Sequence, residues 1–191
     1  MRIISLLEDQ AQMIYFKYLV HDFHKKEIKP WEHIKKLLDR QNYLCLGLFD
    51  EENTLFAYAF FCTSQDSSWL FLDYYAVCTE YRGQGYGSIF IELLKKYLTN
   101  KNGILAEVEN PAYAENEKEK QVCIRRIEFY KKNNWYLSQV YTCVFDVNYQ
   151  IIQLPFYNSI DDSLIYEEIY NIYHTLFPSS IYDKEIKLHK L

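Results

Sequence analysis

The chain has 191 residues, of which 49% are hydrophobic and 25% charged, a composition typical of one soluble globular domain. The formal net charge of −5 argues against a nucleic-acid partner, and no apolar run approaches the roughly 18 residues that a membrane-spanning helix needs. The five cysteines form no CxxC pair, which predicts reduced thiols, a cytoplasmic protein and no metal site.

The N-terminal segment of the chain has the residue patterns of helices. Ser5 and Glu8 have the spacing of a capping box, and the apolar residues that follow them repeat at helical intervals. Pro30 is typical of the first turn of a helix, and the residues from Trp31 to Leu38 carry an apolar stripe. We therefore expect two helices before the first predicted strand.

Three strands and a glycine-rich turn follow. The segments NYLCLGLFD and TLFAYAFFC, joined by the turn DEEN, predict a β-hairpin, and SWLFLDYYAV predicts a third strand. This strand runs into the turn TEYRGQGYG, and the helix after the turn has an apolar stripe from Tyr86 to Leu98. The turn therefore connects a strand to the N-terminus of a helix.

The second half predicts further strands and helices. The segment NGILAEVEN predicts a strand with Glu107 and Glu109 on one face, followed by a polar loop, PAYAENEKEK. A helix over QVCIRRIEFYKKNN is expected to close at Asn134, because asparagine tolerates the left-handed cap conformation. Two strands (SQVYTCVFDV and YQIIQLPF), a helix (SLIYEEIYNIYHTLF) and a tail complete the chain. The order ααβββαβαββα predicts an α/β fold, a mixed sheet with helices on both faces.

The glycine-rich turn has the composition of an anion site. Only five residues are glycine, and three of them are Gly83, Gly85 and Gly87. Glycine permits positive φ and lets a ligand approach main-chain N–H groups, which a helix N-terminus leaves free. A Walker A loop would need a Lys that is missing, and a Rossmann fingerprint would need glycine at Ser88.

The pattern that fits is R/Q-x-x-G-x-G, over Arg82-Gly83-Gln84-Gly85-Tyr86-Gly87, and here the chain resembles the GNAT superfamily of acyl-CoA-dependent N-acyltransferases. A second match is FYKKNNW, which supplies Phe129-Tyr130, Asn134 in the place of the family's glycine, and Trp135. The resemblance covers roughly Leu6 to Asp146. The chain departs from the family pattern at Cys123, where an Asn is usual, and in the long acidic loop after Glu109.

The resemblance implies a GNAT-like fold with a central, mostly antiparallel sheet and a C-terminal helical extension. Residues 1–156 would form the acetyltransferase domain, and residues 157–191 a helix and tail packed on the same domain. The implied co-substrate is acetyl-CoA. The amides from Arg82 to Ser88 would hold the pyrophosphate of coenzyme A, Ala76 and Val77 would pair with its pantetheine arm, and the Val77 N–H would stabilise the oxyanion. The expected cofactor-binding residues are thus Ala76, Val77, Arg82, Gly83, Gln84, Gly85, Tyr86, Gly87 and Ser88.

Three further residues are candidates for catalysis. The family match places Tyr130 as donor to the leaving sulfur, with a core tyrosine bonded to backbone as the alternative. Glu107 or Glu109 would accept the proton of the amine, directly or through water, and Glu107 is preferred as the deeper residue. The alternative for both glutamates is a solvated strand face.

These residues predict an N-acetyltransferase that moves an acetyl group from acetyl-CoA to a primary amine by direct attack in a ternary complex. The alternative is a catalytically silent GNAT-like domain that binds acyl-CoA as a sensor or as a partner-binding module. The acidic residues favour a cationic acceptor, such as a polyamine, an aminoglycoside, or the lysine or N-terminal amine of a peptide. A monomer or a homodimer is expected.

Overall fold

The computed structural model describes residues 1–64 and 67–190 and divides the chain into two compact units. The first consists of Met1–Gln65 and Leu72–Thr99, and the second of Asp66–Phe71 and Asn100–Leu191. Strand β4 (Trp69–Val77) begins in the second unit and ends in the first. Helices flank the eight strands, which follow the order β1 (Arg2–Ser5), β2 (Tyr43–Phe49), β3 (Leu55–Cys62), β4, β5 (Gly103–Glu109), β7 (Val147–Pro155), β6 (Tyr136–Val144) and β8 (Ile186–Lys190). The predicted mixed α/β fold is therefore confirmed.

The first unit contains the predicted hairpin and the glycine-rich turn. Strand β2 pairs antiparallel with both β1 and β3, and the end of β4 follows β3 in the sheet. A 3-10 turn at Thr79–Tyr81 links β4 to helix α4. The elements of the first unit are β1 (Arg2–Ser5), α1 (Glu8–Ile14), a π-helical segment (Tyr15–Leu19), α2 (Val20–Asp22), α3 (Trp31–Asp39), β2 (Tyr43–Phe49), β3 (Leu55–Cys62) and α4 (Tyr86–Tyr97).

The start of the chain differs from its prediction. Ser5 is a strand residue that pairs with Leu46, so it caps no helix. Helix α1 begins at Glu8, where the Gln10 side chain accepts a hydrogen bond from the Leu7 N–H at 2.9 Å. A four-residue strand is too short to show a period, which is why the sequence predicted only the helix.

The second unit contains the candidate catalytic residues. Strand β7 pairs antiparallel with β5 and β6, and β8 pairs antiparallel with β6. A 3-10 turn at Pro111–Tyr113 follows β5. The helices and strands of the second unit are β5 (Gly103–Glu109), α5 (Glu117–Lys132), β6 (Tyr136–Val144), β7 (Val147–Pro155), α6 (Asp162–Leu176), α7 (Ser179–Glu185) and β8 (Ile186–Lys190).

In the second unit, the start of helix α5 and the C-terminal tail differ from the sequence prediction, whereas the end of α5 agrees with it. Helix α5 begins within the predicted loop because the Asn116 side chain accepts a hydrogen bond from the Glu119 N–H at 3.0 Å. The predicted tail is wrong, since it contains α7 and β8. Asn134 has φ 63° directly after the cap residue of α5, which confirms the predicted left-handed position.

No helix within residues 1–64 and 67–190 combines the length and the apolar character needed to cross a membrane.

Candidate active site

The glycine-rich turn has two left-handed residues, Gly83 with φ 75° and Gly85 with φ 88°. A Cβ built on either residue would meet no atom within 4 Å, so the backbone conformation and not crowding requires glycine. Gly85 is the residue before α4. Gly87 is buried in the first turn of that helix, where the Tyr75 hydroxyl donates to its carbonyl oxygen at 2.5 Å. The three glycines therefore shape the entry into α4.

The turn exposes a run of main-chain donors. Within the part of the chain that the structure describes, no group accepts a hydrogen bond from the amides of residues 83–88. The first helical bond runs from the Ile89 N–H to the Gly85 oxygen at 3.1 Å. Unpartnered amides at the positive end of a helix dipole attract anions, so this turn can hold a phosphate group.

Arg82 connects the turn to neighbouring elements. Its Nε donates to the Val77 carbonyl oxygen at 2.9 Å, and its guanidinium pairs with the Asp22 carboxylate at 2.5 Å. On the other side of Val77, the Cys78 N–H donates to the Phe56 oxygen of β3 at 2.9 Å. Because N–H groups alternate along a strand, the Val77 N–H points away from β3.

The remaining predicted cofactor residues surround this turn. Ala76 lies beside Val77 at the end of β4, and Ser88 is in the first turn of α4. The Gln84 side chain donates to the Glu80 oxygen at 3.1 Å. The ring of Tyr86 packs on Phe56 with centroids 4.6 Å apart. All nine predicted residues thus belong to one strand end, one turn and one helix start.

Tyr130 lies near the end of α5 and is half-buried. Its ring contacts those of Phe129 and Trp135, with centroids 5.4 and 5.0 Å apart. Burial raises the pKa of Tyr130 to about 12, while Arg126 acts to lower this pKa and Glu109 to raise it. Among the described residues its hydroxyl has no hydrogen-bond partner, so the bond to backbone expected of a core tyrosine is not formed. The hydroxyl is therefore a protonated donor at neutral pH.

Glu109 is joined to the helix that carries Tyr130. Its carboxylate forms an ion pair with Arg126, which lies four residues before Tyr130 on α5. The structure thus brings Tyr130, Arg126 and Glu109 together. The sequence did not identify Arg126, because the contact joins a strand and a helix and follows no local spacing.

Glu107 has different partners. Its Oε1 accepts hydrogen bonds from the Thr142 hydroxyl of β6, at 2.5 Å, and from the Tyr173 hydroxyl of α6. Thr142 and Tyr173 are each only 1% exposed. The Glu107 carboxylate is therefore hydrogen-bonded to two buried hydroxyl groups, whereas the carboxylate of Glu109 is paired with Arg126.

Cys123 occupies a buried position on α5, and burial raises the pKa of its thiol. Among residues 1–64 and 67–190, no three His, Cys, Asp or Glu side chains cluster as metal ligands would.

Comparison with known proteins gives a consistent result. Residues 5–136 match the family model for the acetyltransferase (GNAT) family, whereas no curated protein is significantly similar in sequence. A GNAT-family protein from Bacteroides thetaiotaomicron has a similar structure, with a TM-score of 0.70 and 24% identity over 92% of this chain and 97% of that chain.

Two further solved structures share the fold. The ribosomal-protein-S18-alanine N-acetyltransferase from Escherichia coli has a TM-score of 0.57 and 18% identity, over 84% of this chain and 96% of that chain. An aminoglycoside 6′-N-acetyltransferase in complex with coenzyme A has a TM-score of 0.55 and 13% identity, over 84% of this chain and 100% of that chain.

Proposed function

Since the chain belongs to the GNAT family of acetyltransferases, we propose that it transfers an acetyl group from acetyl-CoA to a primary amine by direct attack in a ternary complex. The observation that carries the proposal is the run of unpartnered amides over residues 83–88 at the start of α4. These donors suit the pyrophosphate of coenzyme A, and a protein of the same fold has been solved with that coenzyme.

The second part of the proposal concerns the thioester. The Val77 N–H, which points away from β3, donates to the thioester oxygen and stabilises the negative charge that forms there. The Arg82 side chain donates to the Val77 carbonyl oxygen and so restrains the backbone next to the peptide plane that carries the Val77 N–H. Preorganised donors of this kind typically contribute about 10²–10³ in rate.

Proton transfer is the third part. A primary amine with a pKa near 10 reaches the enzyme as an ammonium ion and must lose one proton before it can attack. Glu107 accepts that proton, and Tyr130 donates a hydrogen bond to the sulfur as it leaves. Because the pKa of Tyr130, about 12, exceeds the roughly 8.5 of a thiol, the hydroxyl stabilises the thiolate as a donor and keeps its own proton. As the C–S bond breaks and the amide forms, the nitrogen loses its second proton to solvent, and solvent protonates the released thiolate.

The acceptor is proposed to be a cationic primary amine. The solved structures of the same fold include enzymes for a ribosomal-protein alanine and for an aminoglycoside, both of which carry amino groups. In this chain the ion pair with Arg126 neutralises Glu109, and we assign the attraction for an ammonium ion to the Glu107 carboxylate, which accepts hydrogen bonds from Thr142 and Tyr173.

An acceptor panel tests the proposal. The purified protein is given acetyl-CoA and, in separate reactions, a polyamine, an aminoglycoside, a lysine peptide and a peptide with a free N-terminus, and thiol release and product mass are followed. Acetylation of at least one amine is expected. Coenzyme binding without transfer to any amine would favour the catalytically silent alternative, and absence of coenzyme binding would overturn the role of the glycine-rich turn.

A further inference from the structure

The contact between Tyr173 and Glu107 joins residues that are 66 positions apart in the chain. Tyr173 lies on α6 and donates its hydroxyl to the same carboxylate oxygen that accepts from Thr142. Both donors lie beyond residues 5–136, which match the family model, while Glu107 lies within them. The candidate base is thus held by a part of the chain that the family pattern does not cover.

Packing fixes the Tyr173 donor in place. The ring of Tyr173 meets those of Phe71 and Phe177 edge-on, with centroids 5.9 and 5.8 Å apart. Burial and the negative charge of Glu107 raise the pKa of Tyr173 well above its ordinary value, so the hydroxyl keeps its proton. A carboxylate that accepts two hydrogen bonds from immobile donors is held in one orientation, and its ionised form is favoured.

We propose that Tyr173 is a positioning residue for proton transfer, and that with Thr142 it orients the Glu107 carboxylate and keeps it ionised. The proposal rests on the proposed function, in which Glu107 is the base. One proton passes from the ammonium nitrogen to a Glu107 oxygen, directly or through water, and the nitrogen lone pair becomes free to attack the thioester. Tyr173 and Thr142 neither gain nor lose a proton.

Other titratable groups lie near Tyr173 and Glu107 and must be considered when the titration of Glu107 is measured. Tyr149 of β7 raises the pKa of Tyr173. Glu109 lies two residues from Glu107 on β5 and forms an ion pair with Arg126. These groups are the same in wild-type protein and in a Tyr173 variant. A change in the titration of Glu107 on substitution of Tyr173 therefore reports the lost hydrogen bond.

The first test is Tyr173→Phe, which keeps the ring and removes the donor. Because the donor stabilises the ionised carboxylate, its loss should raise the pKa of Glu107 by about one unit, measured by ¹³C NMR of glutamate-labelled protein. The acidic limb of the kcat/KM profile should move to higher pH by the same amount, with about a tenfold loss of kcat/KM on that limb. The KM for acetyl-CoA should not change. Tyr170→Phe, on the exposed face of the same helix, is the matched control and should leave both measurements unchanged.

Thr142→Val removes the second donor with little change in volume and gives an independent test should Tyr173→Phe not fold. A folded variant of either kind with an unshifted Glu107 pKa would overturn the positioning role, whether or not the enzyme is active. If Glu107→Gln keeps the wild-type rate, Glu107 is not the base and the positioning role falls with it. Loss of activity in Glu107→Gln, together with the shift in Tyr173→Phe, would support both.

Discussion

Arg82 and Val77 are joined by a hydrogen bond of 2.9 Å from the guanidinium Nε to the main-chain oxygen, so a side chain of the glycine-rich turn holds the last residue of β4. The same guanidinium pairs with Asp22, whose carboxylate also accepts a hydrogen bond from the Tyr58 hydroxyl at 2.8 Å. The amides that we assign to the pyrophosphate and the amide that we assign to the thioester are thus linked through one side chain.

Arg82→Lys should weaken coenzyme binding while leaving the fold intact. Lysine lacks the planar fork that serves Val77 and Asp22 together, so the turn and the strand end lose their common anchor. We expect about a tenfold rise in the Kd for coenzyme A by calorimetry, and a change of less than about 1 kcal/mol in unfolding free energy because the Arg82 side chain is half exposed. Arg125→Lys, on the exposed surface of α5, is the matched control. An unchanged Kd for Arg82→Lys would contradict the anchoring role.

Substitutions at Gly85 should separate backbone conformation from side-chain volume. Coenzyme A should raise the Tm of the wild-type protein, since a ligand that binds only the native state stabilises it. Valine disfavours the observed φ of 88°, so Gly85→Val should abolish this rise and cost about 1–2 kcal/mol or more of stability. Gly85→Asn tolerates the left-handed conformation and should keep most of the rise. Full stabilisation of Gly85→Val by the coenzyme would rule out the phosphate-binding role.

Tyr130→Phe removes a hydroxyl that has no hydrogen-bond partner among the described residues. Stability should therefore stay the same or increase slightly, whereas kcat should fall by about 10²–10³ through loss of a donor to the leaving sulfur. Coenzyme affinity should be nearly constant because the ring remains. A chemistry-limited assay and a denaturant titration on the same variant measure both quantities, and wild-type turnover would remove Tyr130 from the mechanism.

Acceptor preference should depend on charge and on salt. Cationic amines should react faster than neutral ones, and acidic amines should be the poorest acceptors, because Glu107 attracts positive charge. The preference for cationic amines should weaken between low and high ionic strength, as screening shortens the range of that attraction. kcat/KM for matched pairs of amines at two salt concentrations measures this effect. A panel led by acidic amines would refute it.

Stability should fall steeply above pH 10. Among the described residues burial raises the pKa of eight tyrosines above the ordinary value of 10, and five of them have the larger shifts, with Tyr130 at about 12. For each such group the stabilisation is complete below pH 10 and is lost as the pH rises toward the pKa of the folded state, at about 1.4 kcal/mol per pH unit. The increase in tyrosinate absorbance should coincide with the loss of circular dichroism. Ionisation of all tyrosines near pH 10 in a folded protein would contradict the burial of these hydroxyls. The five residues are Tyr43, Tyr58, Tyr74, Tyr130 and Tyr173.

Local patterns predicted the long elements well. Helix α4 was predicted from an apolar stripe sustained over three turns, and the β2–β3 hairpin from two apolar runs around a polar turn. In that turn Asp50 accepts hydrogen bonds from the Glu52 and Thr54 amides, at 3.0 and 2.8 Å, which is the chemistry that the turn residues suggested. Strands β1 and β8 have four and five residues and gave no usable period.

The sequence predicted only those parts of the candidate site whose residues are close together in the chain. The residues that we propose to bind the cofactor lie in one segment from Ala76 to Ser88, so one motif was enough to predict them. The partners of the two glutamates, in contrast, lie on other elements: Arg126 on α5 and Tyr173 on α6. The hydrogen bond from Tyr173 to Glu107 spans 66 residues and depends on tertiary packing, which no local pattern contains.

Strand β8 has a consequence for the behaviour of shortened forms of the protein. Its residues from Ile186 to Lys190 satisfy the main-chain groups of β6 from Val140 to Val144, and three of the five, Lys187, His189 and Lys190, are basic or can become so. A protein cut after Glu185 would expose an unpaired edge rich in valine and tyrosine, which can recruit a strand from another molecule. Proteolytic trimming at this point would therefore convert a monodisperse sample into one that aggregates with time.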